Sequence, residues 1–273
     1  MGEQVSDGAD VYTHGHHESV LRSHRWRDAE NSAGYLIPEL RPAARVLDVG
    51  CGPGTISIDL ARRVPRGTVL GLDREASVIA TALEAAAASG VPNVDFAVGD
   101  VYSLEAGDGS FDVVHAHQLL QHLTDPVAAL REMRRVCCPG GVVAARDSDY
   151  EAFTWFPASP GLDRWLDLYR SIARGNGAEP DAGRRLRSWA LRAGFSRVRC
   201  SASAWCFADD DDRAWWGGMW ADRVERSAFA EQAVEGGWSN AEELGAISAA
   251  WRDWAAAADG WFAVVHSEIL CTP

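Results

Sequence analysis

The stretch Val46-Leu47-Asp48-Val49-Gly50-Cys51-Gly52-Pro53-Gly54 constrains this chain more than any other. Val46, Leu47 and Val49 read as the end of a buried strand. Glycines at 50, 52 and 54 then give a turn with little side chain in the way, and Thr55 to Ala61 has helical spacing. A strand, a glycine-rich turn and a helix start together form a cradle for a nucleotide, because glycine lets backbone approach a ligand and adopt positive φ.

The kind of nucleotide follows from what is missing. The dinucleotide pattern G-x-G-x-x-G would place its third glycine at position 55, where Thr55 stands. The phosphate loop requires Gly-Lys-Ser/Thr, and the chain has no lysine. What remains is acidic-x-Gly-x-Gly-x-Gly. Downstream, Thr68 to Asp73 is a second short apolar strand ending in an acid, a position from which a carboxylate can accept both ribose hydroxyls. Val94 to Val101 is a third strand containing Gly99-Asp100. Phe111 to His117 is a fourth, followed by Gln118 and by Asp125-Pro126, and Pro139-Gly140-Gly141 leads into a fifth, Val142 to Arg146.

This series resembles class I S-adenosylmethionine (SAM)-dependent methyltransferases over residues 44–147, in the type 11, ubiquinone/menaquinone-methyltransferase-like branch. An unrelated dinucleotide fold is the competing structural reading. The resemblance implies an α/β, Rossmann-like seven-stranded sheet with helices on both faces. It implies that SAM lies along the carboxyl edge of the strands. The turn with Gly50, Cys51 and Gly52 and the strand-four exit at His117 and Gln118 would hold its methionine end, Asp73 its ribose, and Gly99-Asp100 with Val101 its adenine, with Tyr12, Asp48 and Arg74 also in the expected cofactor-binding set. It also implies an N-terminal helical lid over residues 1–40.

Among 273 residues, 47% are hydrophobic, enough for a full core. No apolar run is long enough to span a bilayer, and the polar start has no signal-peptide core, so a cytoplasmic protein is expected. The net charge of −13 argues against a nucleic-acid substrate. Arg22 to Arg27 and Arg184 to Arg187 are local basic stretches that read as solvated helix faces. Six cysteines without C-x-x-C spacing read as reduced thiols. All 26 basic residues are arginine, which excludes Schiff-base chemistry.

Residues 41–147 read as the alternating strand–helix core, with parallel strands. Before it, a helix is expected from Asp28 through Leu36. After it, residues 148–273 change character. Leu162 to Arg174 is helical, with Leu162, Trp165, Leu166, Tyr169 and Ile172 on one side. A helix is expected from Ala182 to Ala193 and strand six from Val198 to Phe207. Residues 208–259 read as an insertion of two or three helices before strand seven, Trp261 to Cys271. Eleven of twelve tryptophans follow residue 150. Several must pack helices onto the sheet, and others are expected to line an apolar acceptor pocket. Their faces could also stabilise a cation, including a carbocation.

Methyl transfer needs alignment and exclusion of water, and a base only where the nucleophile must lose a proton. Candidates near the expected site are His16, His17, His117, His122, Asp147, Asp149 and Tyr150, of which His17, His117, Asp149 and Tyr150 are chosen as the catalytic set. His115 reads as core. The His14-x-His16-His17 cluster lacks a partner carboxylate or cysteine, so no metal is expected. The expected function is methyl transfer from SAM to an apolar or aromatic small molecule in natural-product biosynthesis, with homo-oligomerisation open. Quinone methylation in respiratory metabolism, and SAM binding without turnover, are the alternatives. RNA methylation is disfavoured by charge and by His117-Gln118-Leu119-Leu120 where an Asn-Pro-Pro-Tyr-type motif would stand.

Overall fold

The structure is a computed structural model and describes residues 26–273. The expected lid residues 1–25, with Tyr12, His16 and His17, lie outside it. The described chain runs α1 (Ala29–Ala33), β1 (Arg45–Val49), α2 (Thr55–Arg63), β2 (Thr68–Asp73), α3 (Ala76–Ser89), β3 (Val94–Val98), β4 (Phe111–His117), α4 (Pro126–Val136) and β5 (Cys137–Ser148). It continues with β6 (Thr154–Phe156), α5 (Pro160–Gly175), α6 (Leu186–Arg192), β7 (Arg197–Phe207), α7 (Asp210–Arg226), α8 (Ala228–Glu235), α9 (Ala241–Ala256) and β8 (Trp261–Thr272).

Strands β3, β2, β1, β4 and β5 are parallel neighbours in that order, and β8 pairs antiparallel to β5. β7 pairs with the opposite edge of β8 along its whole length. The alternation of the strands builds two cores. Val46, Val113 and Ala144 face α1 and α2, whereas Leu47, Val49, Val114, Ala116, Val143 and Ala145 face α4 and α6. Helices therefore cover both faces, as expected for the class I methyltransferase fold. The sheet has eight strands where seven were expected. The extra strand is β6, whose Thr154 to Phe156 pair with Ala263 to Trp261 and extend the β5 edge of β8 beyond a break at 149–153.

The helix expected from Asp28 to Leu36 is shorter. Asp28 and Asn31 form a reciprocal capping box that fixes its start, and the chain leaves the helix at Gly34 before a 3₁₀ turn at Ile37–Glu39. Pro38 falls in the first positions of that 3₁₀ turn, where its missing N–H is not needed. The helix expected at 182–193 is a 3₁₀ turn, Gly183–Arg185, leading into α6.

The insertion holds three helices, α7, α8 and α9. Together with α5 and the start of β8 they bury a third core rich in aromatic rings. Trp165 is its centre, 4.5 Å edge-to-face from Trp220 and 4.8 Å from Trp251. Such contacts add about 0.5–1.5 kcal/mol each beyond the burial of area. No helix among the described residues is long and apolar enough to cross a membrane.

Candidate active site

The carboxyl edge of β1, β2 and β4 and the inner face of α7 enclose one cavity of about 940 Å³. One end is the glycine turn. After β1 the backbone N–H groups of Gly50 and Cys51 both reach the carbonyl of Leu72, at 2.7 and 2.9 Å, which bends the chain over β2. Gly50, Gly52 and Gly54 all have positive φ. At Gly50 the φ of +69° favours glycine, and a Cβ there would also press on the Leu119 side chain, 2.9 Å away.

Asp73 stands at the end of β2. It accepts the Gly52 N–H and the Glu75 N–H, each at 3.1 Å, one on each carboxylate oxygen. Its carboxylate also borders the cavity. Asp100 accepts the Tyr102 N–H at 2.9 Å and also borders the cavity with Gly99 and Val101. Arg74 borders it too, beside Glu75. Backbone, acids and glycines at this end suit a bound group with an adenosine and a small zwitterion. Burial pushes the Cys51 thiol far above its usual range, so it stays protonated. All six cysteines are free.

Asp48 also borders the cavity, but both of its oxygens are engaged. One accepts the Ser57 hydroxyl at 2.5 Å, and the other lies 2.7 Å from His115 Nδ1. Its observed contacts therefore support the turn from behind. His115 is core, as expected.

His117 ends β4 and is 6% exposed. Neither of its ring nitrogens has a hydrogen-bond partner among the described residues. Burial first, then Arg146, Arg27 and His266, hold its pKa well below the ordinary histidine value, so the ring is neutral. It faces Trp205 with ring centres 5.7 Å apart. Gln118, the next residue, has φ of +50°, the one positive-φ non-glycine among the described residues. Its amide nitrogen reaches Ser148 Oγ at 3.0 Å and His266 Nε2 at 2.7 Å. This left-handed turn carries the chain off β4 and presents His117 and Gln118 side by side, and no sequence pattern announces it.

The other expected acid–base groups separate. Tyr150 lines the cavity and stacks on Tyr169 and Phe153, with centres 4.1 and 4.5 Å apart. Asp149 is absent from the lining. Its carboxylate is gripped by Arg184, with Nε at 2.7 Å and Nη2 at 2.8 Å, and the Arg184 N–H adds a third bond. The Arg184 to Arg187 stretch expected to be a solvated face thus includes the clamp on Asp149. Asp147 is buried away from the lining and pushed up to about 8 by burial. His122, expected to start a helix, ends a 3₁₀ turn and borders the cavity.

The far end of the cavity is aromatic: Trp26, Phe153, Trp205, Trp215, Trp216 and Trp220. Two ring faces are already met by guanidinium groups. Arg223 lies 4.5 Å from the Trp220 ring centre, and Trp205 has Arg146 at 5.0 Å and Arg27 at 5.6 Å. That works against a carbocation at those faces, since like charges repel. Arg27 and Arg223 were missed in the sequence. Arg27 was read as part of a solvated stretch. For Arg223 a signal exists: Trp216, Trp220 and Arg223 fall at i, i+4 and i+7, one stripe of one helix. Among the described residues no cluster of His, Cys, Asp or Glu could hold a metal ion.

Comparison with known proteins agrees with this architecture. A family described as "Methyltransferase domain" matches residues 40–178. An uncharacterized methyltransferase of Schizosaccharomyces pombe is 34% identical over 95% of each chain. A demethylmenaquinone methyltransferase of Bacillus cytotoxicus is 32% identical over 56% of this chain and 63% of its own. Among solved structures, the YcgJ protein of Bacillus subtilis has a TM-score of 0.57 at 22% identity, covering 89% of this chain and 98% of its own. Sequence and fold together place the chain in the methyltransferase family, as an S-adenosylmethionine-dependent methyltransferase.

Proposed function

We propose that the methyl acceptor is an apolar or aromatic small molecule seated in the tryptophan-lined end of the cavity, and that the enzyme serves natural-product biosynthesis in the cytoplasm. The observation that carries this reading is the cavity itself. Its lining combines a polar, glycine-rich stretch with a wall of indole rings, and includes His117, whose ring faces Trp205.

SAM, when bound, supplies an electrophilic methyl carbon on a sulfonium. In this reading the Gly50–Gly52 backbone receives its amino-acid part, Asp73 at the end of β2 takes the ribose hydroxyls, and Asp100 with Val101 flanks the adenine. His117 meets the reacting heteroatom of the acceptor. A neutral imidazole with both nitrogens unused can accept a hydrogen bond from a hydroxyl or N–H and orient its lone pair. Its lowered basicity makes it a positioning group and hydrogen-bond acceptor before it is a strong base. The indole wall excludes water from the transfer path. Tyr150 closes the side of the acceptor space by stacking. Asp149 stays with Arg184 and holds the loop after β5.

Quinone methylation is the less favoured reading. The demethylmenaquinone methyltransferase similarity spans about half of this chain, and the acceptor end here is built largely from α7, inside the inserted helices. The test is calorimetric titration with SAM and S-adenosylhomocysteine, with NAD as control, followed by a methyl-transfer screen of phenolic, aromatic-acid and quinol acceptors. Micromolar binding of the two SAM-type ligands and turnover of a phenol or aromatic acid is expected. Turnover of quinols alone would replace the acceptor class proposed here.

A further inference from the structure

Gln118 is held more firmly than a residue leaving a strand requires. Its φ of +50° is one that residues with side chains seldom adopt, and such a conformation persists where the surroundings fix it. Its backbone N–H donates to the Arg146 carbonyl at 2.7 Å, and its amide nitrogen lies 3.0 Å from Ser148 Oγ and 2.7 Å from His266 Nε2. The state of His266 settles which way round the amide sits. His266 Nδ1 lies 3.0 Å from the Val264 carbonyl, which can only accept, so Nδ1 carries a proton. Burial first, then Arg146 and Arg27, hold the His266 pKa well below the ordinary value, so the ring is neutral and Nε2 accepts. The Gln118 amide nitrogen therefore donates to both His266 and Ser148, and both of its hydrogens are engaged. The side chain keeps its carbonyl oxygen Oε1, an acceptor that no donor among the described residues reaches.

Gln118 and His117 both border the cavity. They belong to one wall, because the His117 ring centre is 6.1 Å from that of His266, to which Gln118 is bonded. This wall offers two acceptors, one nitrogen of a neutral imidazole and one fixed amide oxygen. After burial, Arg146 and Arg27 are what depress the His117 pKa, and the same charges oppose an ammonium here. Hydroxyls are the donors that fit.

We infer that the acceptor molecule carries two neighbouring hydroxyls on its apolar or aromatic frame, one received by His117 and the other by Gln118 Oε1. This rests on the proposed acceptor site and narrows its substrate class. Gln118 acts here as a specificity residue. Two fixed points hold a planar molecule in one orientation, whereas a single point leaves it free to swing. A molecule lacking the second hydroxyl would take water from Oε1 without replacing its hydrogen bond, and is disfavoured for that reason. Because His266 and Ser148 already hold the amide, little freedom is lost when the hydroxyl binds.

The experiment is calorimetry on the full-length protein saturated with S-adenosylhomocysteine, with 2,3-dihydroxynaphthalene, 2,6-dihydroxynaphthalene and 3-methyl-2-naphthol as probes on one ring system. The 2,3-diol should bind roughly five- to tenfold more tightly than either of the others. The 2,6-diol has as many hydroxyls but holds them apart, and the methyl compound fills the same space with a single hydroxyl. Gln118→Met keeps the length of the side chain and removes its oxygen. It should bring the three affinities within about twofold of one another and leave 3-methyl-2-naphthol unchanged. Affinity for S-adenosylhomocysteine, measured first in each protein, should stay within about twofold. Equal binding of the three probes by the wild type, or a preference that survives in Gln118→Met, would overturn the inference and leave the acceptor site standing. A roughly tenfold loss of S-adenosylhomocysteine affinity in Gln118→Met, with the preference intact, would place the oxygen at the cofactor and overturn it as well. Should Gln118→Met fail to fold, Gln118→Asn, one methylene shorter, takes its place with the same expected loss of preference. Binding of none of the probes by the wild type would bring down the aromatic acceptor site and the inference with it.

Discussion

His115 Nδ1 lies 2.7 Å from Asp48 Oδ1, and both side chains are buried directly behind the glycine turn. The other oxygen of Asp48 takes the Ser57 hydroxyl, so one carboxylate ties β1, β4 and α2 together. Removing it would strand two buried polar partners. Asp48→Ala should lower unfolding stability by about 3 kcal/mol, read from urea denaturation. An unchanged midpoint would show that the three-element tie carries no stability.

Asp73 has a divided task, ordering the turn through Gly52 and Glu75 while facing the cavity. Asp73→Asn keeps one carbonyl acceptor and loses the charge. Affinity for S-adenosylhomocysteine should fall roughly tenfold or more, the loss of a charge-assisted hydrogen bond, with little change in melting temperature. Unaltered affinity would remove Asp73 from the ribose position.

His117 gives a prediction in pH. With its pKa held well below the usual value by burial and neighbouring cations, it is neutral from the ordinary histidine range upward. The pH–rate profile should therefore lack a bend near 6 to 7, a range centred on the ordinary histidine pKa of ~6.5. His117→Ala should reduce kcat by roughly 10- to 100-fold and leave cofactor affinity nearly unchanged. A wild-type bend in that range that disappears in the variant would mean that the imidazole titrates normally.

Asp147 makes stability depend on pH in the opposite sense to a salt-bridged acid. Its carboxyl is pushed up to about 8 in the fold by burial, with one oxygen lacking a partner. The folded state thus holds a proton that the unfolded chain releases near pH ~3.9. The stability contribution is full below that value and is lost as pH rises through the window up to about 8, at about 1.4 kcal/mol per pH unit. Asp147→Asn abolishes the titration. Denaturation at pH ~6 and pH ~8 should show the wild type losing about 2 kcal/mol more than the variant over that interval. Parallel curves would show that Asp147 is already ionised.

The strands of the core could be read from sequence because their signals are local. Val46 to Val49, Thr68 to Asp73 and Phe111 to His117 each carry an apolar run closed by a punctuating residue, and each is a strand where it was expected. The α5 stripe of Leu162, Trp165, Tyr169 and Ile172 is buried as its spacing indicated. β6 went unseen because three residues carry no periodicity, and Thr154 to Phe156 are a strand only because β8 offers them an edge. Asp149 was chosen as a base because it follows β5 in the chain. The Arg184 side chain that claims it stands 35 positions away, and no local pattern reports such a pairing.

The sequence by itself determined the family, the order of the core strands and the residues of the cofactor turn, since glycine conformations and hydrophobic alternation act between chain neighbours. Tertiary structure alone decided which polar groups face the cavity and which are spent elsewhere. Asp48 and Asp149 are drawn into buried networks, while His117 is left with two unused nitrogens. It also sorted the tryptophans, seating Trp165 and Trp251 in the helical core and Trp205, Trp216 and Trp220 along the cavity. The physical reason is that burial and partner choice depend on segments brought together from distant parts of the chain, and the free energy of a charge or an indole N–H is set by those partners.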